Sequence, residues 1–215
     1  GGRLAWLDAG GVFAVANPRG SGVYGSDWQR GGFQTSKPNS WKDFIACAEY
    51  LIAEKFTQPS KLGIIGNSAG AILVGRAMTE RPELFGAVIA SAGLLDALRF
   101  ETGANGAPRT TEFGTTRTEV GFKALLAMST YANIKNATAY PAVLFTHAVG
   151  DPRVEVWQTT KTAARLMVAT TSAKPVLLRL DFDAGVGNGK SQRLEERADM
   201  YAFLLWQMGA AGFQH

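Results

Sequence analysis

The chain has 215 residues, of which 46% are hydrophobic and 19% are charged, a composition typical of a single globular domain. Its net charge of +4 arises from 22 Lys and Arg against 18 Asp and Glu. These charges are scattered and form no basic stripe, so we expect no nucleic-acid partner. No apolar run approaches the roughly 18 residues that span a bilayer, and no secretory signal is visible. We therefore expect no membrane partner and a cytoplasmic location.

Short apolar runs alternate along the chain with segments of helical periodicity. The runs predict strands at 11–17, 61–66, 85–91, 141–147 and 175–182. Helical spacing of apolar residues predicts helices at 40–56 (with Ser40 as N-cap), 70–82, 156–170 and 193–209. Each run is nearly continuously apolar rather than alternating, as in strands buried on both faces of a parallel sheet. The sequence therefore predicts an α/β fold, with a mostly parallel sheet flanked by helices and a single domain over residues 1–215.

The first run, "GVFAVAN" at 11–17, carries no charge and no bulge. An unprotected edge strand of this kind invites pairing with another chain. We therefore expect this exposed first strand to form a homo-oligomer. The single Cys47 excludes an internal disulfide, and its place in "WKDFIACAEYLI" predicts a small core residue. No metal cluster, phosphate loop or dinucleotide fingerprint occurs in the sequence, so we expect no cofactor.

The second run leads into "G-N-S-A-G", residues 66–70, which fits the nucleophile-elbow pattern G-x-S-x-G. In that pattern Ser68 lies at the apex of a tight turn between a strand and a helix. The glycines are required because side chains two residues before and after the serine would collide with neighbouring elements. The turn directs the Ala69 amide toward a developing oxyanion. The alternative is a tight strand-to-helix turn in which the serine is incidental.

A nucleophilic serine needs an acid and a histidine after later strands, in that order. Asp151 follows the fourth run in "THAVGDPRVEV", where a triad acid belongs, although an Asp before a Pro is also a common turn former. The loop after the fifth run, "DFDAGVGNGKSQRLEE", contains no histidine. A long Gly-, Pro- and Thr-rich loop, "ETGANGAPRTTEFG" at 101–114, also has the length of a functional loop.

Together these segments resemble the catalytic domain of the prolyl oligopeptidase family, serine peptidases with an α/β-hydrolase fold. The resemblance rests on "GGVFAVANPRGSGVYGSDW", "WKDFIACAEYLI", "KLGIIGNSAGAILVGRAMTERPELFGAVIA", "YPAVLFTHAVGDPRVEV" and "DMYAFLL", which occur in the family's order. It implies that Ser68 is the nucleophile, Asp151 the triad acid, and Arg153 a residue that binds the main chain of a peptide or small ester substrate. It also implies that the chain is truncated at its N-terminal side, without the family's β-propeller, its first strands and the loop that supplies a second oxyanion donor.

Two positions depart from the family pattern. The family's last loop reads Ala-Gly-His-Gly, and Val186 occupies the histidine position here. Valine cannot accept a proton, so this position is vacant as a base. Arg109 is found where proline-selective members place a tryptophan that stacks on the substrate's proline, which puts proline selectivity in doubt.

The chain has two histidines, and neither matches the missing one. His147 ends the fourth run, where a structural role is expected rather than that of a substitute base. His215 is the last residue, and a terminus seldom holds a base in place. Three interpretations follow: a weakly active serine hydrolase, a non-catalytic binding or interaction module, and an incomplete fragment of a longer peptidase.

Overall fold

The computed structural model describes residues 2–103, 105–182 and 189–214. Its strands are β1 (Gly63–Asn67), β2 (Ala87–Ser91), β3 (Ala142–Ala148) and β4 (Val176–Asp181). Its α-helices are α1 (Gly2–Asp8), α2 (Ser26–Arg30), α3 (Pro38–Ala53), α4 (Gly70–Glu80), α5 (Thr110–Phe113), α6 (Glu119–Met128), α7 (Thr130–Asn133), α8 (Val156–Ala169) and α9 (Lys190–Gln207). Short 3₁₀ turns lie at Gln34–Ser36, Pro59–Lys61, Pro82–Leu84, Phe100–Thr102 and Ala107–Arg109.

The four strands pair in the order β1-β2-β3-β4, and every pair is parallel. Ile65 pairs with Ile89, and Ile89 in turn pairs with Leu144. Helical segments connect each strand to the next, and α9 follows the last strand. The predicted α/β fold with a parallel sheet is confirmed, as are the four predicted strands that begin at residues 61, 85, 141 and 175.

Helices cover both faces of the sheet. On one face, Val88 and Ala90 of β2 pack with residues of α3, α4, α6 and α8 in the larger core cluster. On the other face, Ala87 and Ile89 pack with Phe203 and Leu204 of α9 and with Trp6 of α1. Because successive strand residues point to opposite faces, a strand covered on both sides must be apolar at every position. All residues of β2 are buried, which explains its unbroken apolar run.

The prediction of a strand at residues 11–17 is wrong. This segment pairs with no strand in the described part of the chain, and Val12, Phe13 and Val15 are exposed to 83%, 40% and 61%. An apolar composition favours a strand only where a neighbouring strand offers hydrogen-bond partners and a second layer covers the side chains. Neither is available to this segment among the described residues.

Two smaller predictions on α3 are also wrong. The helix begins at Pro38 rather than after Ser40, because proline is well suited to the first turn, where its missing N–H is not needed. Ser40 lies inside the helix, and its hydroxyl donates to the carbonyl oxygen of Arg19 at 2.6 Å. Cys47 is exposed on the outer side of α3 rather than in the core. The core-facing positions of the helix are Trp41, Ile45 and Ala48.

Across the three described ranges, no helix combines the length and the apolar character that a bilayer crossing requires.

Candidate active site

Ser68 lies at the apex of the turn that joins β1 to α4. Its φ of 54° is in the left-handed region, which residues other than glycine adopt rarely and at an energetic cost. The turn is held at both ends. The Ser68 amide donates to the carbonyl of Ser91 at the end of β2 (2.9 Å), and the Ser68 carbonyl accepts from the Leu94 amide (3.2 Å). The local geometry is therefore that of a strained strand-to-helix turn, which projects its central residue beyond the carboxyl end of the sheet.

The two glycines of this turn have different roles. A Cβ on Gly66 would lie 2.4 Å from the carbonyl oxygen of Gly70 and 2.8 Å from a methyl group of Val74, so only glycine fits. A Cβ on Gly70 would meet nothing within 4 Å. The expectation that both positions exclude a side chain is thus met at Gly66 and wrong at Gly70. The turn is tight on its strand side only.

The Ala69 amide is free to serve a ligand. It donates to no carbonyl in the described part of the chain, and Ala69 is the residue immediately before the first turn of α4. Backbone amides at the start of a helix point away from its body, and the helix dipole adds a partial positive charge there. This amide is therefore placed to donate a hydrogen bond to an anionic oxygen held near Ser68.

The acid loop (residues 149–155) connects β3 to α8 and carries Asp151. The Asp151 side chain is only 5% exposed, and both of its carboxylate oxygens accept hydrogen bonds from Arg153. Nη2 of Arg153 lies 2.8 Å from Oδ2, and its Nε lies 3.2 Å from Oδ1. The backbone amides of Arg153 and Val154 also donate to Oδ1, at 2.8 and 3.4 Å. In this conformation Asp151 is a structural anchor for its own loop.

These contacts set the charge state of the loop. Burial acts to raise the pKa of Asp151, but the hydrogen bonds from the Arg153 side chain and backbone outweigh it and hold that pKa below its usual value. The hydrogen bond to Asp151 likewise raises the pKa of Arg153. Both groups are therefore charged at neutral pH. The Arg153 side chain is 64% exposed, so the outer side of the pair presents a guanidinium to solvent.

His147 lies in the core at the end of β3, with 3% of its surface exposed. Its Nε2 lies 2.9 Å from the carbonyl oxygen of Val154 and its Nδ1 lies 2.6 Å from the hydroxyl oxygen of Thr159. A carbonyl only accepts, so Nε2 carries the proton, and in the neutral ring Nδ1 accepts from Thr159. Burial lowers the pKa of His147 and keeps the ring neutral. Both nitrogens are engaged in fastening the acid loop to α8, which agrees with the expected structural role.

A small cavity separates the acid loop from the long loop, defined here as residues 92–109. This loop follows β2 and overlaps the Gly-, Pro- and Thr-rich segment at 101–114. Arg109 and Arg153 both line it, together with Leu94. Leu94 is the residue whose amide donates to the Ser68 carbonyl, so the cavity begins next to the serine turn. The structure therefore places Arg109 and Arg153 at one cavity, and Ser68 and Asp151 are each hydrogen-bonded to a residue of its lining, Leu94 and Arg153 respectively. Val186 and His215 lie outside the described residues.

Two polar residues near the site had no recognisable signal in the sequence. Glu196 of α9 accepts hydrogen bonds from Thr146 of β3 (2.8 Å) and Ser91 of β2 (3.3 Å), which ties this helix to the carboxyl ends of the strands. Gln158 of α8 accepts from the amides of Leu95 and Asp96 at 3.0 and 3.1 Å, which fastens the long loop to the helix after the acid loop. Neither residue belongs to a motif, because its partners are distant in sequence.

The described residues include no cluster of three or more His, Cys, Asp or Glu side chains able to hold a metal ion. The candidate residues Ser68, Ala69, Asp151, Arg153 and Arg109 contribute a hydroxyl, backbone amides, a carboxylate and two guanidinium groups.

Comparison with known proteins places this arrangement in a family. A profile of the prolyl oligopeptidase family matches residues 2–211. Prolyl endopeptidase from Elizabethkingia miricola is 36% identical over 95% of this chain, a stretch equal to 29% of that protein. Prolyl endopeptidase from Dictyostelium discoideum is 35% identical over 90% of this chain and 26% of its own length.

Solved structures agree with this match. A prolyl endopeptidase structure superposes with a TM-score of 0.94 at 40% identity, covering 97% of this chain and 31% of that one. Oligopeptidase B from Leishmania major gives a TM-score of 0.92 at 29% identity, with coverage of 97% and 30%. The fold is that of the α/β-hydrolase domain of these peptidases. The chain spans less than a third of the length of each of these proteins.

Proposed function

Because this chain belongs to the prolyl oligopeptidase family of serine peptidases, we propose that it is a serine hydrolase that cleaves peptide or ester bonds through an acyl-enzyme on Ser68. The observation that carries this proposal is the strained φ of 54° at Ser68, between a parallel strand and a helix. A non-glycine residue persists in this conformation only where the surrounding structure holds it, and such strain is concentrated at functional sites. Gln34, Lys55, Ala92 and Ala137 also have positive φ, but among the described residues Ser68 alone combines it with a turn that joins a strand directly to an α-helix.

In the proposed reaction the Ser68 hydroxyl oxygen attacks the substrate's carbonyl carbon, and the hydroxyl proton passes to a water molecule, because Val186 stands at the position of the family's histidine base. The resulting oxyanion accepts a hydrogen bond from the Ala69 amide, and the C–N or C–O bond then breaks as the leaving group takes up a proton. Water hydrolyses the acyl-enzyme in the second half of the reaction. We assign Asp151 as the triad acid and Arg153 and Arg109 as substrate-binding residues. No step calls for a cofactor.

The expected activity is weak, because Val186 replaces the histidine that would take the Ser68 proton. A serine hydroxyl without a base is a poor nucleophile near neutral pH. The contact between Arg153 and Asp151 supports the same expectation, since the carboxylate that would orient a histidine is already engaged on both oxygens. The alternative proposals are an inactive family member that acts as a binding or interaction module, and an incomplete portion of a longer peptidase.

Covalent labelling with a fluorophosphonate tests the assignment of the nucleophile. We expect slow labelling that maps to Ser68 and is abolished by Ser68→Ala. Ser91→Ala is the matched control, because Ser91 lies at the end of the neighbouring strand and its hydroxyl donates a hydrogen bond to Glu196. Labelling at another residue would remove Ser68 from the site. Fast stoichiometric labelling at Ser68 would show that a group of the protein other than those named above activates its hydroxyl.

We further propose that residues 1–215 act as a single catalytic unit that self-associates through the exposed apolar side chains of residues 11–15. Val12, Phe13 and Val15 contribute large apolar surfaces to this segment, and contiguous exposed apolar groups favour association. We expect light scattering to show oligomers that Val12→Ser with Val15→Ser converts to monomers. A monodisperse monomer at high concentration would contradict this proposal.

A further inference from the structure

Helix α8 holds two loops of the candidate site through its first two turns. Its Thr159 contacts His147, which in turn bonds the backbone of the acid loop. One residue earlier, the Gln158 side chain accepts hydrogen bonds from the amides of Leu95 and Asp96 in the long loop. The position of the long loop along this helix therefore also sets its position relative to the acid loop.

The same stretch of α8 carries Lys161, which forms an ion pair with Asp96 (2.6 Å between Nζ and Oδ2). The Asp96 side chain is only 4% exposed, and its other oxygen accepts a long hydrogen bond (3.4 Å) from Ser129. A buried carboxylate is costly without a charged partner, so its position follows that of the ammonium group. That group is itself held, since Nζ lies 3.9 Å from the ring centroid of Tyr131 and 5.5 Å from that of Trp157.

The ion pair lies two residues from a contact with the candidate nucleophile. The Leu94 amide donates to the Ser68 carbonyl at 3.2 Å, and the Leu95 carbonyl accepts from the Tyr131 amide at 3.0 Å. Residues 94, 95 and 96 are thus held in succession by the serine turn, by α7 and by α8. Because the spacing of consecutive Cα atoms is fixed, a displacement of Asp96 is passed on to the amide that supports Ser68.

We propose that Lys161 is a positioning residue for Ser68. Through Asp96 it holds residues 94–96 against α8, so that the Leu94 amide supports the serine turn in a fixed position beside the acid loop. Lys161 acts through the long loop and not on the reacting atoms. Its effect on the reaction rests on the proposed function, because it takes Ser68 as the nucleophile. An ion pair that contributed only to stability would leave the serine turn of the folded protein unchanged.

Lys161→Met tests this proposal with two measurements on the folded protein. The first is hydrogen exchange of the Leu94 amide by NMR, compared with the amides of β2, which report global unfolding; we expect exchange about tenfold faster in the variant on this scale. The second is fluorophosphonate labelling of Ser68. We expect it to be about tenfold slower, because a displacement of about 1 Å can lower a rate by up to about 100-fold. Lys161→Arg keeps the positive charge and should retain most of both values.

Arg165→Gln is the matched control. Arg165 lies about one turn further along α8, and its guanidinium donates to Asn136 and to the Ile134 carbonyl instead of the long loop. Its loss should lower the urea midpoint without changing either the relative exchange of the Leu94 amide or the labelling of Ser68.

A second variant guards against a failure to fold, since Lys161→Met leaves the Asp96 carboxylate buried without its charged partner. Asp96→Asn combined with Lys161→Met removes the ion pair without leaving a lone buried charge, and asparagine can still accept the hydrogen bond from Ser129. We expect both effects in the same direction in this double variant.

Parent-like exchange of the Leu94 amide in the double variant would overturn the proposal, and so would faster exchange with an unchanged rate of Ser68 labelling. Equal effects in Arg165→Gln would assign them to general stability and also overturn it. A parent that shows no labelling at Ser68 rejects the proposed chemistry instead. The Ala69 amide signal then decides the positioning: a shift in the double variant but not in Arg165→Gln supports it, and an unchanged signal overturns it.

Discussion

The candidate site has two halves: the serine half, which is the turn at residues 66–70, and the acid half, which is the loop at residues 149–155. The interactions that hold them differ in range. The serine half is local: Gly66, Ser68 and Gly70 lie within one turn, and the clearance that Gly66 provides is toward Gly70 and Val74. The acid half depends on partners elsewhere in the chain. His147 fastens Val154 to Thr159, and Gln158 fastens the long loop to α8. The steric requirements of the serine turn are local, and backbone hydrogen bonds with Ser91 and Leu94 hold its apex, whereas the state of Asp151 depends on which side chain reaches its carboxylate.

In this structure the side chain that reaches Asp151 is Arg153. A histidine that used Asp151 as its orienting acid would have to displace one of these hydrogen bonds or share an oxygen with them. The serine turn thus leaves the Ala69 amide without a protein acceptor among the described residues, whereas both carboxylate oxygens of Asp151 are already engaged. The following four predictions probe this difference.

The largest effect is expected from Val186→His, which supplies a base to the serine half. Removal of the histidine from a complete triad costs roughly a millionfold in turnover. Since Arg153 already occupies both carboxylate oxygens of Asp151, we expect only part of this to return, at least about a hundredfold over the parent. The measurement is p-nitrophenyl acetate hydrolysis by the parent and the variant.

The control for this prediction is Asp151→Asn in the Val186→His background, which should reduce the rate again because the imidazole loses its tautomer and orientation. Parent activity that survives Ser68→Ala would contradict the assignment of the site. Parent activity that requires Ser68 and disappears in His147→Ala would show that His147, despite its two buried hydrogen bonds, acts as the base.

A second prediction concerns the serine half alone. Gly66→Ala would place a Cβ 2.4 Å from the Gly70 carbonyl oxygen, so the turn must distort. Overpacking of this kind typically costs about 1–3 kcal/mol, and we expect a loss of that size in the free energy of unfolding, measured with urea. Gly70→Ala is the matched control, since its Cβ would meet nothing within 4 Å. Equal losses in both variants would mean that the tight side of the turn has been assigned wrongly.

The third prediction concerns the pH dependence of the acid half. Burial lowers the pKa of His147 in the folded state below the ordinary histidine value of 6.5, so below pH 6.5 the unfolded chain binds a proton that the folded chain does not. The stability contributed by the neutral ring is therefore complete above pH 6.5 and is lost as pH falls toward the folded pKa. Urea midpoints should decrease between pH 7.5 and pH 5.5 in the parent, and less in His147→Gln. An equal decrease in both proteins would assign the effect to other groups.

The smallest effect is expected from the Asp151–Arg153 pair. Arg153→Gln removes the side-chain hydrogen bonds that help to lower the pKa of Asp151, so carboxyl NMR should show that pKa rising. The pair's contribution to stability is present above the unfolded pKa and is lost as pH falls through the lowered folded value. Because Arg153 is 64% exposed, this contribution should be no more than about 1 kcal/mol. An unchanged Asp151 pKa in Arg153→Gln would show that the backbone amides alone set it.

Much of the serine half was predictable from its sequence, because each requirement lies within a few residues of the next. Gly66 was predicted to exclude a side chain, and the helix after Ser68 was predicted to begin at residue 70 as it does. The acid half was predictable only in part. The position of Asp151 after β3 follows from the alternation of strands and helices. Its bidentate contact with Arg153 does not, because the same Asp-Pro-Arg segment permits several orientations of a long, exposed arginine.

Two apolar segments show where sequence alone is sufficient and where it is not. "GVFAVAN" at 11–17 and "FGAVIAS" at 85–91 have the same strand-like character. The second forms β2, since β1 and β3 supply hydrogen-bond partners on both sides and helices cover both faces. The first has none of these among the described residues and is exposed. The sequence by itself determined the parallel α/β fold and the serine turn, because periodicity and local sterics act over short distances. Only the tertiary structure decided which apolar runs become strands and that Arg109 and Arg153 line one cavity, because both depend on contacts between distant segments. It also decided what Asp151 binds, because the local sequence leaves the orientation of the Arg153 side chain open.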